Sequence, residues 1–330
     1  MVAAFVAERS GAVVQVALTE LSEEELGDGD VVIRTEWSSA NYKDALTTRP
    51  DGGVARLDRL VPGVDLAGTV LESTADVFHP GDLVLVHGYG LGVSHHGGFA
   101  ARARVPHEWI VPLPAPLTAR EAMIFGTAGF TAALSIHRIE RQGIGPEDGP
   151  VLVTGATGGV GSFAVAMLAR RGYEVIASSG KAEATPWLEA LGATRVIGRE
   201  DLSRDGRPLE RQLYAAAVDS VGGATLAGVL RSMRWGGAVV ASGVTGGAVL
   251  QTTVFPFILR AVALLGIDTT ALPMGERTTI WGRMAGELRP VDLERFVAGE
   301  VDLAGLPGVL DALLAGKVRG RYLVRPTAGT

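Results

Sequence analysis

An apolar strand that runs into a glycine-rich turn constrains the fold of this chain more than any other segment. Residues 151–161 read Val-Leu-Val-Thr-Gly-Ala-Thr-Gly-Gly-Val-Gly, and no charged residue follows before Arg170. In a G-x-G-x-x-G turn the first glycine makes the bend, the second admits a pyrophosphate, and the third lets the next helix pack closely. Those positions hold Ala156, Gly158 and Gly161. The first glycine of the motif is missing, but the flanking strand and helix still predict a dinucleotide-binding turn.

Strands and helices alternate through the second half of the chain. Strands are expected at 150–154, 174–177, 195–197, 216–219 and 237–242, and helices at 161–171, 184–191 and 224–233. This alternation is typical of an α/β fold with a doubly wound parallel sheet.

The first hundred or so residues predict short strands separated by turns, at 13–16, 30–34, 68–71 and 82–86. Such spacing indicates a compact β-rich domain. Thr118 and Glu121 have the spacing of a helix capping box, and a last strand is expected at 321–324. We therefore predict a Rossmann domain over 123–265 that is inserted in a β-rich catalytic domain made of 1–122 and 266–330.

The end of the second predicted strand indicates which cofactor is bound. Enzymes that use NAD carry an acidic residue about 20 positions beyond the turn, where it binds the ribose hydroxyls. This chain has Ser178-Ser-Gly-Lys181 instead, and hydroxyls with an ammonium suit the 2′-phosphate of NADPH. The predicted cofactor contacts of this region are Thr157, Gly158, Gly159 and Val160 at the helix start, Ser179, Gly180 and Lys181 after the strand, and Arg195 as a second cation.

Composition excludes several classes of protein and site. The chain has no cysteine, which rules out disulfides, thiolate nucleophiles and cysteine-ligated zinc. Its net charge of -6 argues against nucleic-acid or anionic-membrane partners. Glycines and hydroxyl residues interrupt the uncharged run at 151–169, so it predicts a buried strand and helix rather than a membrane span. The first eight residues lack the basic start of a signal peptide, and we expect a cytoplasmic location.

His95 and His96 are the most suggestive metal ligands in the sequence. Adjacent side chains diverge on a strand, and no spaced partner completes a ligand set. We expect no metal here and predict that the two histidines order the loop from Gly88 to Gly98.

The chain resembles the acryloyl-CoA reductase family, a zinc-free group of the medium-chain dehydrogenases and reductases that is related to the quinone oxidoreductases. The resemblance rests on Ser38-Ser-Ala-Asn-Tyr-Lys-Asp-Ala-Leu46, on Pro62-Gly-Val-Asp65, and on the glycine turn. Further matching segments are 66–70, 88–92, 95–98, 122–123, 126–132, 191–193, 218–223 and 256–260. The resemblance implies a GroES-like fold for the β-rich domain and hydride transfer from NADPH without zinc.

The resemblance also implies site residues. It places Asn41 and Tyr42 near the nicotinamide, Asn41 as an amide donor and Tyr42 either as a phenolic acid or as a packing surface for the cofactor. It brings Gly243, Val244 and Thr269 to the cofactor, and Arg321 to the substrate. Arg49, Arg56 and Arg59 follow the Asn41 segment and are candidate partners for the phosphates of coenzyme A. The segment 255–267 is expected to pair two subunits in a homodimer.

Three functions remain open at this point. The first is NADPH-dependent reduction of the carbon-carbon double bond of acryloyl-CoA or a similar enoyl thioester. The second is a quinone or enone reductase, because the same hydride transfer serves any electron-poor conjugated carbonyl. The third is a protein that binds NADPH without catalysis, since a fold does not fix a function.

Overall fold

The computed structural model describes residues 1–327. The chain divides into two compact units, and the first contains Met1–Thr127, Thr269–Ala285 and the described residues from Leu293 on. The second contains Ala128–Asp268 and Gly286–Asp292. The sequence prediction placed the boundaries after residues 122 and 265, and it assigned 286–292 to the β-rich domain.

The strands are β1 (Val2–Ser10), β2 (Val13–Leu21), β3 (Val31–Ala40), β4 (Arg59–Leu60), β5 (Asp65–Ser73), β6 (Leu83–His87), β7 (Arg102–Val105), β8 (Ile110–Pro112), β9 (Val151–Val153), β10 (Val175–Ser179), β11 (Arg195–Gly198), β12 (Tyr214–Asp219), β13 (Met233–Ala241), β14 (Ala263–Gly266), β15 (Val297–Asp302) and β16 (Arg321–Arg325). The helices are α1 (Tyr42–Thr47), α2 (Ala119–Arg141), α3 (Gly159–Arg170), α4 (Thr185–Ala190), α5 (Glu200–Ser203), α6 (Gly223–Arg231), α7 (Phe255–Arg260), α8 (Met274–Ala285) and α9 (Leu306–Leu314). Each predicted strand and helix overlaps one of these elements.

The second unit is built on a six-stranded sheet in the order β11-β10-β9-β12-β13-β14. Every neighbouring pair in this sheet is parallel. Because the first strand of the unit, β9, lies in the middle, the chain winds outward in both directions, which is the doubly wound Rossmann order. The prediction of a Rossmann domain is confirmed. Burial is strongest in β9, β10 and β12, whose residues are buried throughout.

The first unit is rich in β structure, as predicted. One sheet has the order β15-β16-β3-β5-β6-β8, with β7 also paired to β3, and a smaller sheet has the order β2-β1-β4. The antiparallel strands β3, β5 and β6 lie at the centre of the larger sheet. Val31, Ile33, Leu66 and Val84 from these strands belong to one buried apolar cluster. The central strands therefore hold the ends of β3 and β5 in fixed register.

Helix α2 begins with the predicted cap and is interrupted at a glycine. The Thr118 amide donates to the Glu121 carboxylate at 3.0 Å, and the Glu121 amide donates to the Thr118 hydroxyl at 3.2 Å, which confirms the capping box. Gly126 has φ 50° and ψ -158°, so the helical path breaks there. Across residues 1–327, no helix has both the length and the apolar character that crossing a membrane requires.

Candidate active site

The glycine turn of the second unit leaves backbone donors at the start of α3. Gly158 precedes the helix and is exposed, and the amides of Gly159 and Val160 donate no hydrogen bond within the described residues. A Cβ atom on Gly161 would lie 2.4 Å from the Gly155 carbonyl oxygen, so only glycine permits this close approach. Free amides at a helix start bind phosphate. The geometry fits a dinucleotide pyrophosphate, although Ala156 replaces the first glycine of the motif.

The carboxyl ends of the parallel strands bring most of the predicted cofactor residues to one edge of the sheet. Ala177 pairs with Val153, and Val218 pairs with Val153 on the other side. Asp219 pairs with Ala241. The residues that follow these strand ends therefore share an edge: Thr157, Gly158, Gly159 and Val160 after β9, Ser179, Gly180 and Lys181 at the end of β10, and Gly243 and Val244 after β13.

The end of β10 is surrounded by groups that suit a phosphate. Ser178 is buried and its hydroxyl has no hydrogen-bond partner, while the Ser179 hydroxyl accepts a bond from the Lys181 amide at 3.0 Å. A Cβ atom on Gly180 would lie 3.1 Å from both Cδ and Nε of Arg199, so the Arg199 side chain crosses this glycine. Arg199 forms no ion pair within the described residues. The Ser179 hydroxyl and the Arg199 guanidinium thus flank Gly180, with Lys181 as the next residue, and sequence reasoning missed the guanidinium.

Arg195 is not part of this group, which corrects the prediction made from the sequence. It pairs with Ile176, at the amino end of β10, whereas Ser179 pairs with Gly198 at the carboxyl end. Three residues of extended strand separate the two positions, roughly 10 Å. Arg199 follows β11 directly and reaches the edge that Arg195 does not.

Asp219 and Thr269 have structural surroundings of different kinds. Asp219 accepts hydrogen bonds from the Thr154 hydroxyl at 2.7 Å and the Gly222 amide at 2.8 Å, so it ties the end of β12 to β9. Burial raises the pKa of Asp219.

Thr269 belongs to the first unit, where its carbonyl accepts a bond from Arg277 at 3.0 Å. A role of Thr269 in cofactor binding stays a prediction.

In the first unit, Asp65 is the centre of a buried polar network at the start of β5. Its carboxylate accepts hydrogen bonds from the Ser39 amide and hydroxyl, from the Asn41 side-chain amide at 2.9 Å, and from the Thr127 amide at 2.9 Å. The Arg321 guanidinium lies 3.9 Å from it. A Cβ atom on Gly126 would lie 2.7 Å from the Asp65 carboxylate, so the break in α2 lets backbone approach this network. Sequence reasoning did not identify Asp65 as a centre.

Asn41 is held on every side by this network. Its amide nitrogen donates to the Ser39 carbonyl at 3.0 Å as well as to Asp65, and its oxygen accepts a bond from Arg321 at 3.0 Å. Both amide hydrogens are therefore engaged, which leaves none for a substrate. The predicted donor role of Asn41 is not supported by this geometry. Asn41 instead holds the backbone at the start of α1 in place. Its own backbone amide donates to Asp44 at 2.8 Å.

Asp44 secures the other side of the same segment. Its carboxylate accepts hydrogen bonds from the Gly63 amide at 3.1 Å and the Val64 amide at 2.9 Å. Burial, with the charge of Asp65 nearby, raises the pKa of Asp44 to about 7. The start of α1 is thus anchored to the turn before β5 by one fully buried carboxyl group.

Arg321 was predicted to contact substrate, and the structure corrects this. The residue is 3% exposed and donates to the Ala40 carbonyl, the Asn41 oxygen and the Ser39 hydroxyl. Burial lowers the pKa of this guanidinium, and the nearby Asp65 partly opposes that effect. Its position on β16, which pairs with β3, directs it into the protein interior. Arg321 holds the Asn41 segment and has no surface to offer a ligand.

Tyr42 is the predicted catalytic residue that remains accessible. It is the first residue of α1 and is 37% exposed. Its hydroxyl makes no hydrogen bond within the described residues. Because Asn41 and Asp44 fix the backbone on both sides, the phenol is presented from a rigid segment.

The three candidate arginines after this segment differ in their partners. Arg49 forms an ion pair with Asp311, and Arg59 forms one with Glu25 at 2.8 Å. Arg56 is exposed, and its guanidinium makes no ion pair or hydrogen bond within residues 1–327. Only Arg56 of the three is uncommitted. Their ion pairs make Arg49 and Arg59 weaker candidates than Arg56 for binding a coenzyme A phosphate. An exposed ion pair contributes little energy, so a phosphate can still compete for either arginine.

The histidine pair orders its loop, as predicted. The His95 ring contacts the Asp28 carbonyl at 2.6 Å and the His96 carbonyl at 2.8 Å, and the Val61 amide donates to His96 at 3.0 Å. In the part of the chain that the structure describes, no group of three or more histidine or acidic side chains is arranged to hold a metal ion.

Two family models match the chain. The alcohol dehydrogenase GroES-like domain matches residues 27–115, and the zinc-binding dehydrogenase model matches residues 159–285. The first match confirms the GroES-like prediction for the β-rich unit. The second lies within the region that carries the Rossmann sheet and continues into α8.

Three relatives are similar over nearly the whole chain. The chain is 46% identical to acrylyl-CoA reductase AcuI of Ruegeria pomeroyi, with 94% of each chain covered. It is 47% identical to YhfP of Bacillus subtilis, provisionally named a quinone oxidoreductase, with 97% of each covered. The yhdH oxidoreductase of Salmonella enterica, solved in complex with NADP, has a TM-score of 0.96 at 45% identity and covers 99% of this chain and 100% of its own. The solved structure of YhfP, with a TM-score of 0.95, holds NAD.

Proposed function

Since the chain belongs to the acryloyl-CoA reductase family of the medium-chain dehydrogenases and reductases, we propose that it uses NADPH to reduce the carbon-carbon double bond of acryloyl-CoA or a similar short enoyl-CoA. The observation that carries the cofactor choice is the placement of the Arg199 side chain over Gly180, between Ser179 and Lys181 at the end of β10. A dianionic phosphate is bound best by such charged donors. The acceptor is supported by the 46% identity to an acrylyl-CoA reductase.

NADPH, when bound, supplies the hydride that the β-carbon of the enoyl thioester accepts. The amides of Gly159 and Val160 are the proposed donors to its pyrophosphate. Ser179, Lys181 and Arg199 are the proposed partners of its 2′-phosphate. Because relatives have been solved with either NADP or NAD, this choice rests on the side chains of this chain rather than on the relatives.

On the substrate side, hydride addition leaves negative charge on the thioester oxygen and requires a proton at the α-carbon. Tyr42 is the proposed hydrogen-bond or proton donor, because its phenol is accessible and bound to no other described group. Asn41, Asp65 and Arg321 are proposed to act indirectly, by fixing the backbone from which Tyr42 projects. The proton transfer is from the phenol to carbon, with solvent restoring the phenol.

Arg56 is the proposed partner of a coenzyme A phosphate. It is the cation of the segment after α1 that no described carboxylate neutralises. An exposed guanidinium binds phosphate through two parallel hydrogen bonds. The same contact has no counterpart in a quinone, so it favours a thioester acceptor.

We also propose a homodimer that pairs through the edge strand β14 and the helix α7. β14 is the last strand of the parallel sheet. Phe255, Ile258 and Leu259 of α7 are exposed, Ile258 to 67%. Exposed apolar groups beside a strand edge are typical of a protein interface.

An acceptor panel tests the proposed function. NADPH oxidation should be fast with acryloyl-CoA, slower with crotonyl-CoA, and weak with free acrylate or a quinone, because only the thioesters combine a conjugated carbonyl with phosphates. Steady-state kinetics with NADPH and NADH supply the measurement. Turnover of the quinone alone would replace the thioester assignment with quinone reduction. Binding of NADPH without turnover of any acceptor would identify a protein that binds the cofactor without catalysis.

Tyr42→Phe tests the proposed donor. We expect kcat for acryloyl-CoA to fall roughly a hundredfold, the usual size of a general-acid contribution, with KM for NADPH changed less than about threefold. Phenylalanine keeps the ring, so a packing role would survive the substitution. An unchanged kcat together with unchanged NADPH binding would remove the hydroxyl from the chemistry and leave the ring as a packing surface.

A further inference from the structure

Two adjoining surface depressions of the second unit share an arginine. One, of about 390 Å³, is lined by Arg204, Arg207, Glu210 and Arg211. The other, of about 360 Å³, is lined by Arg195, Arg211 and Arg234, with Glu174, Thr194 and Gln212. Neither depression includes a residue of the proposed cofactor site.

The second depression lies at the opposite edge of the parallel sheet from the glycine turn. Arg195 begins β11 and pairs with Ile176 near the start of β10. Pro150 and Glu174, which also line it, immediately precede β9 and β10. The five residues of β10 separate this edge from Ser179 by roughly 16 Å. A ligand held here would leave the proposed cofactor site free.

The arginines of this surface are poorly neutralised. Arg195, Arg207 and Arg211 form no ion pair within residues 1–327. Arg204 pairs with Glu210 at 2.5 Å, and Arg234 donates to a backbone oxygen, that of Asp148, at 2.5 Å. The two linings together hold five arginines and two glutamates. A chain with a net charge of -6 therefore concentrates positive charge at one place, which lowers the cost of bringing an anion there.

Part of this surface has a defined geometry. The Arg234 guanidinium lies so close over Gly149 that a Cβ atom there would be 2.0 Å from Nη1. The Trp235 amide donates to the Gln212 side chain at 2.8 Å, which ties the strand of Arg234 to the segment of Arg211. Trp235 itself is 73% exposed. The close approach of Arg234 to Gly149 and the Gln212 contact therefore hold the backbone that carries Arg211 and Arg234.

We propose that the two depressions form a second anion site, which binds a small molecule carrying a pyrophosphate group. Guanidinium groups bind phosphate oxygens through paired hydrogen bonds, and the shared Arg211 is placed to contact phosphates in both depressions. Each depression has room for a small molecule, and the net charge of -6 disfavours a nucleic-acid polymer as the partner. This inference does not rest on the proposed function, because it uses neither the glycine turn nor Tyr42.

Calorimetric titration of the full chain with inorganic pyrophosphate tests the proposal, with NADPH absent and then present in excess. We expect binding under both conditions. Arg211→Gln and Arg195→Gln should each raise Kd roughly tenfold to a hundredfold, the loss of a charged hydrogen bond. Arg141→Gln is the matched control, because Arg141 is exposed at the end of α2 and lines neither depression. Its Kd should stay within about twofold of the parent, allowing for ordinary surface charge effects.

Four results would overturn the proposal. The first is no heat of binding at millimolar pyrophosphate. The second is equal affinity in the parent chain and Arg211→Gln, both shown to be folded by circular dichroism. The third is complete loss of pyrophosphate binding in the presence of NADPH, which would locate the anion at the glycine turn. Binding of a single-stranded oligonucleotide in place of pyrophosphate would likewise replace a small-molecule site with a polymer surface.

Discussion

Arg199→Glu is expected to weaken NADPH binding roughly a hundredfold while NADH binding changes less than about threefold. The Arg199 side chain crosses Gly180 beside Ser179 and Lys181, and no described carboxylate competes for it. A charged hydrogen bond to phosphate contributes about 1.5–3 kcal/mol, and glutamate adds repulsion to the loss of that contact. NADH has no 2′-phosphate and does not experience either effect. Fluorescence titration of both nucleotides measures the change in preference.

The control for Arg199→Glu is Arg141→Glu, which makes the same charge change at an exposed site of the same unit. Its NADPH affinity should remain close to that of the parent chain. A larger loss from Arg195→Glu than from Arg199→Glu would contradict the structural assignment and favour the position predicted from sequence alone. An equal loss for NADPH and NADH would mean that Arg199 does not distinguish the two cofactors.

Arg321→Met is expected to lower the free energy of unfolding by about 3–5 kcal/mol and to abolish most turnover. Removing one member of a buried charge pair leaves the other charge without compensation. Asp65 would lose the guanidinium 3.9 Å away, and Asn41 would lose the donor to its side-chain oxygen. The segment that presents Tyr42 would then be free to move. Urea unfolding gives the stability, and the acceptor assay gives the activity.

Two further variants separate charge from packing in this prediction. Arg325→Met lies on the same strand but is exposed, with its guanidinium 5.1 Å from the Trp37 ring centre, so its cost should be no more than about 1 kcal/mol. Arg321→Lys keeps a positive charge beside Asp65 and should retain more stability than Arg321→Met. If Arg321→Lys were no more stable than Arg321→Met, the loss of the buried charge would not be the cause.

The Rossmann unit was predictable because its signals are local. The residues of the glycine turn are contiguous, and the strand that follows ends in small polar residues and a lysine. Alternating strands and helices permit few arrangements other than a doubly wound sheet. The capping pair Thr118 and Glu121 was predictable for the same reason. Residues three positions apart at a helix start are close enough to exchange side-chain to backbone hydrogen bonds.

The arginines were not predictable in this way. Arg195 and Arg199 lie four residues apart. Without the strand register, the sequence is compatible with either arginine lying beside the end of β10. Pairing of Ile176 with Arg195 decides between them. The sequence likewise does not distinguish Arg321 from an exposed arginine. Its position on β16, which pairs with β3, is what shows that it is buried.

The sequence by itself determined the parallel sheet, the dinucleotide turn and the preference for a 2′-phosphate, because each depends on neighbouring residues whose types limit the backbone and the charge. The tertiary structure decided which side chains are available to a ligand. Asp65, Asn41 and Arg321 come from distant parts of the chain and meet in the interior, where Asn41 is hydrogen-bonded to both other residues and the Arg321 guanidinium lies 3.9 Å from the Asp65 carboxylate, so their polar groups are already used. Tyr42, Arg56 and Arg199 remain accessible, and burial and strand register, which arise only when the chain is folded, are the physical reason for that difference.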